Sequence, residues 1–248
     1  ILGAIILFFG WFGFNPGSAL GFTGGARNLA VLAAVNTLLA GAIGGIVSML
    51  YMWWIGPSKK PDPGMSVNGV LAGLVAITAP CAFVEPWAAL LIGAVAGVLV
   101  VWATFTLEKM KIDDPVGAVP VHFVNGIWGV LAVGLFASGN PDTAAWNGVD
   151  SAVTGLFYGY NGQILAQITQ VVSIAILATG LSWVFFKVLN GTGVLRSAPE
   201  AELAGLDVPE MGARGYTNDD VVMHGGMPGS RIKGALSPSR AVGTTIIK

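Results

Sequence analysis

Six apolar runs, separated by short stretches of proline, glycine and charge, decide most of what this chain can become. They cover roughly residues 1–22, 28–54, 66–84, 87–107, 116–137 and 161–187. A spanning helix needs about 20 apolar residues, and each run is of that order, so each is expected to cross a membrane as a helix. Strands of a membrane barrel would instead give short segments of alternating polarity. Helix breakers mark the connections: GPSKKPDPG at 56–64, EP at 85–86, DDP at 113–115 and SGNPD at 138–142. Only 10% of the 248 residues are charged and 54% are hydrophobic, against about 25% charged in soluble domains. Such a chain cannot clothe a water-facing surface. The expected fold class is all-α, a polytopic membrane helix bundle.

Small residues say how such helices pack. Gly41/Gly45, Gly69/Gly73 and Gly93/Gly97 repeat a four-residue spacing that lets membrane helices approach closely. The single cysteine, Cys81, excludes an internal disulfide and a cysteine-based metal cage. No basic stripe suits nucleic acid, and no cofactor or metal is expected. The opening ILGAIILFFGWFGFN lacks the charged region and cleavage site of a signal peptide. It is expected to begin part-way through a helix, as a piece of a longer protein.

Charge sets the orientation. With six spans, Lys59, Lys60, Lys109, Lys111, Lys187 and Arg196 fall on one side of the alternation, and only Arg27 flanks the other. The positive-inside rule then assigns the 56–65 and 108–115 loops and the tail to the cytoplasm.

Within the runs, His122 stands out: no other ionisable residue follows it until Asp142. Burying its protonated form is costly, so a neutral imidazole with one donor and one acceptor is expected. A packing role is the plain alternative, but ionisable groups inside membranes usually mark a substrate or proton path. Asp113, Asp114 and Pro115 read as a helix N-terminus, the aspartates capping free N–H groups. Glu85 before Pro86 reads as a cap for the same reason. In GWFGFNPGS (10–18), Asn15-Pro16-Gly17 ends a helix after Trp11, Phe12 and Phe14 and just before Ser18. This is either an interfacial aromatic belt with a turn or an outer vestibule for a small cation, whose positive charge aromatic faces attract. Gln163, Gln167 and Gln170 share one face of the last helix, where a subunit interface and the headgroup region fit equally.

Four motifs carry a resemblance: GWFGFNPGSAL, AAVNTLLAG, GLVAITAPCAFV and KIDDPVGAVPVHFVNGIWGVLAVGLFA. In order and spacing they resemble the ammonium transporters of the Amt/Mep/Rh superfamily, over about residues 1–216. The resemblance implies helices six to eleven of an eleven-helix, inverted-repeat transporter fold, a homotrimer in the cell membrane with one pore per subunit. It implies that His122 is the second histidine of a pore-lining pair and Phe14 a gate phenylalanine. Ser18 would be the serine of an external ammonium site and Trp11 a pore-wall tryptophan. It implies a transporter region over 1–190 and a cytoplasmic regulatory segment over 191–216. The stretch over 217–248 matches no part of the family pattern, and its glycine-rich, polar composition is expected to leave it disordered. A cytosolic PII-type signalling protein is a candidate regulator at the lysine-bearing loops.

The chain departs from the family pattern at four places. Gly117 stands where some members carry an aspartate, Phe123 where a small residue is common, and Met211 where a histidine is usual. Pro209 replaces a threonine that is phosphorylated in some relatives. The expected function is ammonium/ammonia transport along a histidine-lined apolar pore. The alternatives are an electroneutral Rh-type gas channel and an ammonium sensor. An enzyme is not expected, since His122 has no acid, base or metal-ligand partner within its helix.

Overall fold

The computed structural model describes residues 1–144 and 151–213. The expectation for 217–248 therefore lies outside the described residues. The first of two compact units, Ile1–Ser182, holds the membrane-type helices. They are α1 (Leu2–Phe14), α2 (Gly24–Trp54), α3 (Pro63–Thr78), α4 (Pro86–Lys109), α5 (Asn125–Phe136) and α6 (Gly162–Gly191), the last of which runs into the second unit. A wide-turned π-helical segment, Val119–Val124, leads directly into α5, so the two form one 18-residue span. Among the described residues no strand forms beyond one isolated bridge, Ser138 to Thr154. The all-α fold class holds.

One span is shorter than the hydropathy suggests. The apolar run over 66–84 gives a helix of only 16 residues, followed by a turn. Pro80 is the cause: it has no N–H to continue the ladder and disfavours helical geometry in Ala79. Its carbonyl accepts from Phe83 and Val84 N–H, and the turn is buried. Buried Asn36 of α2 completes it, its Nδ2 donating to Cys81 O and Val84 O, both at 2.8 Å.

The helix starts also differ from expectation. Asp114 caps the fifth span, its carboxylate accepting from Ala118 N (2.8 Å) and Val119 N (2.9 Å). Pro115 stays outside the helix, and the proline in the first turn is Pro120. Glu85 is an N-cap by position alone: its side chain makes no cap bond, while its backbone carbonyl accepts from Ala88 and Ala89. Pro86 supplies the favourable first-turn geometry instead. Asp62 caps α3 through Met65 N at 2.7 Å, and Lys59 closes α2 through Trp54 O at 2.7 Å.

Helix α2 is the hub. It runs antiparallel to α3, pairing Gly41 with Leu74, Gly44 with Gly69 and Ser48 with Met65, and parallel to α4, pairing Ala40 with Gly93 and Gly44 with Gly97. The glycine pairs legible in the sequence lie on these two seams, and Gly44 stands where they meet. A Cβ on Gly44 would lie 2.5 Å from Gly69 O, and one on Gly97 2.5 Å from Gly44 O. At one end, Asn68 Nδ2 reaches Val116 O at 3.3 Å, joining the start of α3 to the loop after α4. At the other, Ser138 N donates to Phe83 O (2.8 Å) and Asn28 Nδ2 to Asp142 Oδ2 (3.0 Å). The loops carrying Lys59 and Lys109 thus share an end, and Arg27 lies at the opposite one.

The second unit, from Trp183 onward, contains the end of α6 and two short helices, α7 (Pro199–Ala204) and α8 (Asp207–Met211). Arg196 pairs with Glu202 at 2.8 Å, and the Ser197 hydroxyl bonds the Glu210 carboxylate. The Arg196–Glu202 pair is exposed and adds little stability.

Because the seams admit no side chain, Gly44→Ala is expected to cost roughly 2 kcal/mol through overpacking. Gly180→Ala, whose Cβ meets nothing within 4 Å, serves as the control and should change stability little. Thermal unfolding of the detergent-solubilised protein measures the difference.

Candidate functional site

The end of α1 is held by two threonines on different helices. Trp11 Nε1 donates to Thr78 Oγ1 of α3 at 2.8 Å, and Asn15 Nδ2 to Thr37 Oγ1 of α2 at 3.0 Å. Each threonine hydroxyl in turn donates to its own helix, Thr78 to Leu74 O (2.7 Å) and Thr37 to Ala33 O (2.6 Å). A hydroxyl carries one hydrogen and two lone pairs, so this arrangement uses it on both sides. Asn15 and Pro16 then turn the chain into a short 3-10 segment, Pro16–Ala19, as the NPG signature implies.

This turn presents Phe14 and Ser18. The Phe14 ring is 57% exposed and meets Trp11 edge-on, centroids 6.4 Å apart. Ser18 Oγ donates to Phe14 O at 2.8 Å, which spends its only hydrogen. The hydroxyl lone pairs are left to accept from a donor. Phe14, Asn15 and Ser18 line a cavity of about 90 Å³ with Thr78, Cys81 and Phe83. The free thiol of Cys81 is buried beside it.

His122 lies in the π-helical segment and lines a different cavity, of about 200 Å³. Phe123, Gly126 and Val130 line it from the same helix, and Gln170, Ile174 and Ala178 from α6. His122 and Gln170 are the only polar side chains in this lining. His122 is exposed, and among the described residues its imidazole has no hydrogen-bond partner. Both ring nitrogens are therefore open to a small guest. The sequence put the three glutamines on one face without deciding what that face meets; the structure puts Gln170 on the histidine's cavity and half-buries Gln163 and Gln167.

The expected site residues thus fall into two groups. Trp11, Phe14 and Ser18 come together at the Phe83 end, whereas His122 sits in the part of its span nearer Gly117. The two cavities share no lining residue. Sequence reasoning missed Thr37 and Thr78, which carry no signal until the helices meet. A third cavity of about 240 Å³ at the Gly117 end is lined by Glu108, Asp113 and Asp114, together with Thr104 and Pro120. Among the described residues no group of three or more His, Cys, Asp or Glu is arranged to hold a metal ion.

The sequence profile described as the Ammonium Transporter Family matches residues 1–216. The chain is 42% identical over 219 residues to ammonium transporter Amt2 of Archaeoglobus fulgidus, covering 88% of this chain and 45% of that one. It is 38% identical to the ammonium transporter of Bacillus subtilis, covering 87% and 50%. Among solved structures, a protein described as a sensor Amt protein superposes with a TM-score of 0.70 at 36% identity, covering 84% of this chain and 48% of the other. Mep2 of Saccharomyces cerevisiae gives 0.70 at 27% identity, with coverage of 80% and 44%. The chain spans about half the length of the relatives it matches.

Removing the Thr78 hydroxyl tests the clamp on Trp11. Thr78→Val should leave the indole N–H without its acceptor and lower stability by about 1 kcal/mol, while Thr78→Ser should restore most of the loss. Thermal unfolding of the three proteins, compared side by side, reads the effect.

Proposed function

Because the chain belongs to the Ammonium Transporter Family, we propose that it builds one wall of an ammonium pathway through the cell membrane. The observation that carries this reading is His122: the one titratable side chain of its span, on an exposed, otherwise apolar helix face, with both ring nitrogens open. Ammonium is recruited at the turn beyond α1. There the Ser18 lone pairs accept an N–H, and the Trp11 and Phe14 rings favour a small cation. Phe14 gates the entrance, and Trp11 forms part of the wall.

Magnitudes favour losing the proton on the way. A bare, unpaired ion in an apolar pore is penalised by many kcal/mol. Removing a proton from ammonium costs only about 1.4 kcal/mol for each unit by which its pKa exceeds the pH. The species passing His122 is then ammonia, which the imidazole can both donate to and accept from. Potassium, similar in size but without a proton to shed, is excluded by the same arithmetic. A second histidine on an opposing wall would complete a proton relay, consistent with the open face that His122 presents.

The remaining assignments follow the same reading. The pathway occurs once in each subunit of a homotrimer, within a transport region over 1–190. The lysine-bearing end faces the cytoplasm, as does the 191–216 segment, and a PII-type protein would dock at those loops. A sensory role is the second reading, supported by the likeness to the sensor Amt protein. It differs in what Ser18, Phe14 and His122 serve: binding that is reported through the tail, rather than flux.

The complete protein tests this in liposomes. His122→Leu removes both hydrogen-bonding positions while leucine suits the membrane, so ammonium-dependent current should fall steeply in a folded protein. Wild-type current in that variant would overturn the reading. Flux of ammonia without current in the unmodified protein would favour the electroneutral channel, and tight binding without flux the sensor. His122→Glu should weaken discrimination against potassium, since a carboxylate stabilises a cation that keeps its charge.

A further inference from the structure

The segment that displays His122 is not a regular helix, and one buried side chain spans the irregularity. Pro120 has no N–H, and its ring excludes the ordinary bond to the carbonyl four residues back, that of Val116. Asn68 of α3 takes that carbonyl instead, at 3.3 Å. Val119–Val124 widens into π geometry, and Asn125 closes it: its Nδ2 donates to Pro120 O at 2.8 Å. The link covers five residues, the span of a π-helical hydrogen bond. The backbone N–H of the same residue bonds His122 O. Asn125 therefore grips the start of the wide turn with its side chain and the histidine's own peptide with its main chain.

The placement carries a cost. Asn125 is fully buried, and its Oδ1 has no hydrogen-bond partner. The orphaned oxygen offsets part of what the N–H donation to Pro120 O contributes, so net stability gives little reason for an asparagine here, whereas the orientation of the turn does. The π geometry puts His122 on the face it shares with Gly126 and Val130 while Val121 and Asn125 point inward.

We propose that Asn125 is a positioning residue for His122, its side-chain amide holding the wide turn that keeps the imidazole on the pathway face. The proposal rests on the pore reading of His122 for its functional meaning, but the position of the ring can be measured by itself. In the complete protein, histidines labelled with ¹⁵N give an imidazole signal for His122, assigned by its loss in His122→Leu. Asn125→Leu loses the bond to Pro120 O together with the orphaned oxygen, so it should assemble with thermal stability close to that of the unmodified protein, shift the His122 signal, and reduce ammonium transport by about tenfold, as displacement of a reacting group does. If Asn125→Leu fails to assemble, the double variant Pro120→Ala/Asn125→Leu restores the missing N–H and permits a regular helix. It should fold and show the shifted signal. An unchanged His122 signal in whichever variant assembles overturns the proposal. So does failure of both to assemble, because Asn125 is then a folding residue. Wild-type transport in His122→Leu would sink the pore reading alone, leaving the effect of Asn125 on the ring to be judged by its signal.

Discussion

Backbone polar groups have nowhere to go in hydrocarbon, and this constraint organises the structure at every point where a helix stops. Irregular backbone at membrane depth survives only where protein surrounds it and supplies its hydrogen bonds. The turn over 79–85 meets that condition because Asn36 gives both amide hydrogens to its carbonyls. The segment before α5 meets it with three side chains from different places: Asp114, Asn68 and Asn125. Among the described residues, the buried side-chain atoms left without partners are Asn36 Oδ1, Asn125 Oδ1 and Ser138 Oγ. Two of these three belong to the asparagines that close backbone breaks. In both, an N–H is used and the oxygen goes without a partner, so what each asparagine contributes is donation to a carbonyl at the break in the helix.

Around those closures the helices meet through backbone rather than side chains. Lipid is as apolar as leucine, so contact between helices has to come from fit. At Gly44 the fit is so close on both sides that α2, α3 and α4 form a single block. Trp128 extends the block to α5, its indole N–H donating to Ile92 O at 3.0 Å, with Phe136 packed edge-on against it. The clamps on Trp11 and Asn15 tie the end of α1 to the same block through Thr78 and Thr37.

Much of this is written plainly in the sequence, and the rest is hidden for physical reasons. Apolar run length reveals the spans, and Gly41/Gly45, Gly69/Gly73 and Gly93/Gly97 reveal the seams, because both depend on local composition. The early end of α3 is hidden, since Pro80 sits in an apolar run and hydropathy does not distinguish a buried turn from a buried helix. The wide turn at 119–124 is hidden because Asn125 is read as one more polar residue until its partner is known. Asp113 and Asp114 look alike as caps, and only the loop geometry selects Asp114, while Glu85 does not cap with its side chain at all. His122 is visible because an ionisable group in an apolar run is conspicuous. Gln170 is visible as part of a row but not as its cavity neighbour, because α6 meets α5 only in three dimensions.

The exposure of His122 has a consequence for how such a protein can change. The residues that hold the bundle together, from Gly44 to Asn36, lie on inward faces, whereas His122 and Phe123 are exposed and project away from them. Changes at these outward positions and changes in the frame therefore fall on different surfaces of the same helices. A substitution at position 123 therefore leaves the scaffold's contacts in place, so a lineage can vary that outward face without first rebuilding its frame.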